Sequence, residues 1–170
     1  ENPQDSEGEW IKHVAVESVG TESPTFADIT GDGQPEVICE SQRRLGYAAY
    51  DENNPTEPWV FQAVTDPGHW APFTHGLGIG DVNGDGLTDL LTSVGWFEQP
   101  ATIEDGGLWT PHVFQFCPGG AQMFAYDVDG DGDNDVITSL QAHSYGLSWF
   151  EQMPADDGAI TFRPHRIMHM

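Results

Sequence analysis

The sequence predicts an all-β fold built from repeated four-strand units, and three observations predict it. An aspartate- and glycine-rich nonapeptide occurs three times, as "DITGDGQPE" (28–36), "DVNGDGLTD" (81–89) and "DVDGDGDND" (127–135). Each copy runs into a short apolar stretch, "VICES", "LLTSV" or "VITSL", and follows a small or apolar one, "SPTFA", "LGIG" or "QMFAY". The pieces between are too short and too rich in β-branched and aromatic residues for helices. Clusters of Gly, Pro, Asn and Asp separate them.

The elements follow in chain order. Residues 1–8 form a polar tail, and residues 9–170 form the repeat segment. Each unit opens with an aromatic piece: "WIKHV" (10–14), "WVFQAV" (59–64), "WTPHVF" (109–114) and "FRPHRI" (162–167). The small or apolar piece, the acidic loop and the apolar run come next. A third signature closes the unit, "GWFEQP" (95–100) and "LSWFEQMP" (147–154), with "YAAYDENNP" (47–55) as a degraded relative. The units are thus about 9–58, 59–108 and 109–161, with a fourth starting over 162–170. Four strands in about 50 residues is the spacing of a β-propeller blade. The expectation is three four-stranded blades plus the first strand of a fourth, in a larger propeller. Closed propellers have about four to eight blades. The expected partners are therefore further blades of the same protein, with this chain a fragment of it, or a homo-oligomer.

The acidic loops carry the chemistry. Oxygen-bearing side chains at alternate positions of a tightly turning loop point inward, and hard oxygen ligands of this kind suit Ca²⁺. In the third loop Asp127, Asp129, Asp131 and Asp135 stand at positions 1, 3, 5 and 9, and Asp133 at position 7 offers its carbonyl. The second loop offers Asp81, Asn83, Asp85 and Asp89, with the Leu87 carbonyl. The first offers Asp28, Thr30, Asp32 and Glu36, with the Gln34 carbonyl, and departs from the pattern at positions 3 and 9. Up to three Ca²⁺ are expected, with the third loop, richest in carboxylates, binding tightest. The metal acts as a staple on the first two strands of each unit and not as a Lewis acid, since the loops supply no nucleophile or base. A metal-free turn is the plainer alternative, because Asp and Gly favour turns on their own. An EF-hand does not fit: position 12 holds Cys39, Thr92 and Thr138, and strand formers follow where a helix is needed.

With these residues in view, the chain resembles FG-GAP/VCBS-type repeat proteins, whose repeats build the calcium-carrying β-propellers of integrin α-chains and many secreted bacterial proteins. The resemblance covers almost everything from Glu9 onward, and its most specific part is the threefold D-x-[DNT]-G-D-G-x-x-[DE] motif. It implies that ligands meet the blade connections at the face opposite the calcium loops.

Composition narrows the partners. Lys and Arg number 5 against 28 Asp and Glu, a formal charge of −23, which makes nucleic acid and anionic membranes poor partners, so no nucleic-acid partner is expected. No run of about 18 apolar residues exists, so no membrane span is expected. The opening "ENPQDSEGEW" has neither the basic nor the apolar region of a signal peptide. The two cysteines, Cys39 and Cys117, make no disulfide or zinc pattern. Cys39 reads as a small core residue. Weak calcium sites fill outside the cytosol, which favours an extracytoplasmic home: secreted, periplasmic or at the cell surface.

Residues repeated in register read as structural: His13, His112 and His165 in the aromatic pieces, and Trp96 and Trp149 as core aromatics. Unrepeated residues are the ligand candidates. His69, Trp70 and His75 lie in "DPGHWAPFTHG", Arg43 and Arg44 form a lone basic pair, and His143 and Tyr145 lie in "QAHSYG". Converging aromatics and arginine would suit a sugar or carboxylated saccharide. The bland reading is that the arginines offset local charge and the histidines are satisfied loop residues. Two functions follow. One is a calcium-stabilised binding or scaffold module presenting loops to a glycan or protein. The other is the propeller part of a carbohydrate-active lyase or dehydratase, because the "WFEQ" signature is similar to repeats of aldos-2-ulose dehydratase. No G-x-S-x-G, H-E-x-x-H or P-loop motif is present, and the module is the favoured reading.

Overall fold

The computed structural model describes residues 9–68, 70, 73–103, 106–155 and 158–168. Every regular element is a strand. The first four are β1 (Thr25–Ala27), β2 (Glu36–Ser41), β3 (Arg44–Ala49) and β4 (Val60–Ala63). The next four are β5 (Leu77–Gly80), β6 (Asp89–Thr92), β7 (Gly95–Glu98) and β8 (Thr110–Val113), and the last are β9 (Gln122–Tyr126), β10 (Asp135–Ser139), β11 (Leu147–Pro154) and β12 (Ile160–Met168). They form three antiparallel meanders of four strands. β1–β4 make a separate sheet, and the other two meanders join into an eight-stranded sheet through the parallel pair β5–β9. That pairing brings backbones very close: a Cβ on Gly78 would run into the Met123 carbonyl. Glycine in "LGIG" is thus a packing requirement.

In the middle meander β6 and β7 are packed on both faces, so adjacent residues on these strands face different cores. Leu90 and Phe97 pack with Ile38, Leu45 and Tyr47 of the first meander. Leu91 and Trp96 pack with Met123, Val136, Phe150 and Phe162 of the third. A strand buried on both faces reads as a continuous apolar run, which is why "DLLT" shows no alternation. The outer face of the third meander keeps its aromatics in solvent, with Phe124 at 54% and Tyr126 at 67% exposure.

Two expectations are corrected. The aromatic pieces do not open units; they close them. Residues 59–64 and 109–114 contain β4 and β8, fourth strands of their meanders, and 162–167 lies in β12, paired along its length with β11. The segment expected to begin a fourth unit therefore completes the third. Residues 10–14 form no strand. The chain there passes beside the first meander instead, where Trp59 N–H donates to the Ala15 carbonyl at 2.7 Å.

The topology sorts the connections into two ends. β1, β5 and β9 each run into an acidic loop. Their starts, the β2–β3 turn and the β10–β11 connection therefore lie at the opposite end.

Candidate metal sites

Each acidic loop joins the first and second strands of a meander and closes in the same way. The position-1 aspartate accepts the N–H groups of the two loop glycines: Asp28 from Gly31 and Gly33, Asp81 from Gly84 and Gly86, Asp127 from Gly130 and Gly132. All six glycines have positive φ, between 76° and 102°. A Cβ would meet nothing within 4 Å at any of them. The left-handed backbone, and not crowding, therefore demands glycine.

The position-9 carboxylate is the buried anchor. Asp89 accepts N–H groups from Val82 and Gln99, both at 2.9 Å, and Asp135 accepts from Val128 at 3.0 Å and Gln152 at 2.8 Å. Glu36 accepts from Ile29 at 2.9 Å, and the Thr30 hydroxyl lies 3.5 Å from its Oε1. The two departures of the first loop thus meet each other: the longer glutamate reaches back to the threonine at position 3. Burial pushes the Asp89 carboxyl up to about 6; the N–H donors oppose this, while the charges of Asp85 and Asp81 add to it. Glu36 is raised too, by burial first and by Asp32 and Asp28 after the opposing N–H donors. Negative groups held this way are stabilised by a nearby cation.

Carboxylate oxygens of Asp28, Asp32 and Glu36 lie within 4.8 Å of one another, as do those of Asp127, Asp129 and Asp135. The second loop, with Asn83 at position 3, gathers no such trio of acids among the described residues. Its Asn83 Nδ2 donates instead to Asp85. Asp131 lies outside the third loop's trio and caps the N–H of Asp133. Asp133 keeps a buried Oδ1 without a hydrogen-bond partner. Gln34 and Leu87 each donate a backbone N–H to the position-5 aspartate of their loop. Neighbouring loops are also tied together. Gln99 Nε2 donates to the Ile29 carbonyl of the first loop at 2.6 Å, and Asn134 Nδ2 to the Asp81 carbonyl of the second at 2.7 Å.

At the opposite end His75 and His143 meet, as edge-on rings with centroids 4.8 Å apart. Both face Glu22, with Nε2 to Oε2 distances of 3.5 and 3.8 Å. The other ligand candidates lie apart from this trio. Arg43, in the β2–β3 turn at the same end, donates to the Gly68 carbonyl at 3.0 Å. Arg44 is on β3, opposite Ser41. Trp70 packs edge-on against Phe97 at 6.2 Å, beside the core between the first two meanders. Tyr145 is 72% exposed on the connection that carries His143. His69 lies outside the described residues.

The repeated histidines find a structural use. His112 stacks on Trp96 at 4.0 Å with Nε2 2.7 Å from Glu98, and His165 stacks on Trp149 at 4.3 Å with Nε2 2.5 Å from Glu151. "W-x-E" on the third strand therefore clamps the histidine of the fourth. In the first meander Tyr47 faces Gln62 at this register, so the clamp is lost, and His13 lies exposed outside any strand. Trp96 is buried as expected, but Trp149 sits half-exposed on the outer face. Both cysteines are free and buried, and burial pushes the Cys39 thiol up to about 11. This suits a packing role, not a reactive one.

Glu22 escaped the sequence reading because it belongs to no repeat. The isolated bridge between Thr21 and Thr74, with the hydrogen bonds beside it, brings it to His75. Gln99 and Asn134 were visible within repeated motifs, yet their links to neighbouring loops depend on how the meanders stack. Comparison with family models, with curated proteins and with solved structures finds no match to this chain.

Proposed function

We propose that this chain is a calcium-stabilised β-propeller segment, with each meander a blade, acting as an extracytoplasmic binding or scaffold module for a glycan or protein. The observation that carries the reading is the threefold acidic loop. Glycines at left-handed φ, a buried position-9 carboxylate and, in two loops, converging carboxylates recur at the same place in each meander. Ca²⁺ at positions 1, 3, 5, 7 and 9 would relieve the repulsion among these groups and fasten the first strand of each blade to the second. The stacked faces of the meanders and the parallel contact of β5 with β9 fit blades arranged about an axis. Phe124, Ile137 and Leu147 line an open hollow of about 370 Å³ on the outer face of the third meander. Further blades, or a second copy, would cover it.

Thermal unfolding in EDTA and then in millimolar Ca²⁺ tests the reading. A site filled at 100 times its dissociation constant adds about 2.7 kcal/mol, so the midpoint should rise clearly, and an unchanged midpoint would count against the proposal. A second reading, the propeller part of a carbohydrate-active lyase or dehydratase, has one observation in its favour: His75 and His143 converge with an acid at the end away from the loops.

A further inference from the structure

We infer that Glu22, His75 and His143 form a second kind of metal site, for a borderline transition dication such as Zn²⁺, at the end opposite the acidic loops. One nitrogen from each histidine and one carboxylate oxygen lie within 4.8 Å of one another. The Nε2 atoms stand 3.5 and 3.8 Å from Glu22 Oε2. Those separations are long for a direct hydrogen bond, whose N···O distance is about 2.7–3.2 Å. They are close to the edge of a zinc tetrahedron, about 3.3 Å for bonds of about 2.0–2.1 Å. The His143 side chain, 77% exposed, has room to adjust toward that geometry.

The backbone builds the site from three separate meanders. Glu22 precedes β1, and its N–H donates to the Thr74 carbonyl at 3.1 Å, which sets it beside His75 at the start of β5. The Thr21 hydroxyl donates to the same carbonyl at 3.0 Å and accepts the Ser23 N–H at 3.2 Å. His143 follows Ala142, whose N–H donates to the Gly119 carbonyl at 2.7 Å. Each ligand therefore lies at, or one residue from, a hydrogen bond that ties its segment to another. Two imidazoles with one carboxylate suit zinc-class ions and disfavour Ca²⁺, which takes six to eight oxygens. Three protein ligands leave a fourth position open. His75 and His143 also line a pocket of about 260 Å³ with Pro118, Gly119, Gln141 and Ala142. An oxygen donor, water or the carboxylate or hydroxyl of a ligand, would complete the shell.

Calorimetric titration of Zn²⁺ into the whole chain, kept in excess Ca²⁺ so that the acidic loops do not compete, tests the site independently of the calcium reading. One equivalent should bind, His75→Ala and His143→Ala should each weaken it at least tenfold, and Glu22→Gln should weaken it too. His112→Ala and His165→Ala should leave it unchanged. Co²⁺ in place of Zn²⁺ should give the visible bands of a tetrahedral ion, lost in His143→Ala. The absence of Zn²⁺ binding, or binding at full strength in His75→Ala and His143→Ala, overturns the proposal. His143 is exposed enough for its variant to fold, so the outcome remains interpretable.

Discussion

The two ends of the meanders offer opposite chemistry on one scaffold. At one end, three near-identical turns present hard carboxylate oxygens, anchored by Glu36, Asp89 and Asp135 at 1%, 0% and 1% exposure. At the other, three unlike connections bring two imidazoles and one carboxylate together. The contrast follows from how each end is made. A nine-residue turn joining adjacent antiparallel strands has little freedom, so its side-chain pattern must repeat wherever the turn repeats. The segments at the other end differ in length and in kind: one precedes β1, one joins two meanders and one links β10 to β11. Chemistry there is assembled once, from residues far apart in sequence.

The largest effect should come from stripping the repeated end. On the proposed function, removing Ca²⁺ from three loops should withdraw about 2.7 kcal/mol for each site held at 100 times its dissociation constant; chemical denaturation in Ca²⁺ and in EDTA measures the sum. Next comes Asp89→Ala, which leaves the Val82 and Gln99 N–H groups without their acceptor. It should cost about 3 kcal/mol even in EDTA, because two donors lose their partner inside the protein. Asp127→Ala and Asp28→Ala separate the metal's share from the turn's own: the stability Ca²⁺ confers should fall more for Asp127→Ala, since its loop holds the most carboxylates. Trp70→Ala should cost about 2 kcal/mol, as expected for a half-buried aromatic against Phe97. A glycan-contact residue would have left stability intact, so urea denaturation distinguishes the two roles. Smallest is His143→Ala, which should alter stability in Ca²⁺ by less than about 0.5 kcal/mol.

The same contrast explains what could be read in advance. The strands and acidic loops were legible because short β-branched and aromatic pieces and Asp-Gly turns are local signals, repeated three times. The phase of the repeat was not, because a period states its length and not where a sheet ends. Residues 162–167 look like an opening strand until β11 is seen to pair with them. Likewise Trp96, Glu98 and His112 showed as two separate recurring motifs; their union depends on the β7–β8 register, which sets Trp96 opposite His112. At the irregular end His75 and His143 stood out as unrepeated residues. Their partner Glu22 did not, since a lone glutamate in "TESP" carries no pattern. Arg43 shared their end of the molecule, but its guanidinium bonds the Gly68 carbonyl.

The central claim is that the repeated acidic loops hold calcium, and equilibrium dialysis against millimolar Ca²⁺ with metal analysis of the retained protein tests it most directly. The account predicts up to three Ca²⁺ per chain at saturation, with the tightest lost in Asp127→Ala and no loss in His143→Ala. Protein that retains no Ca²⁺ above the buffer, or retains as much after Asp28→Ala, Asp81→Ala and Asp127→Ala are combined, would contradict it.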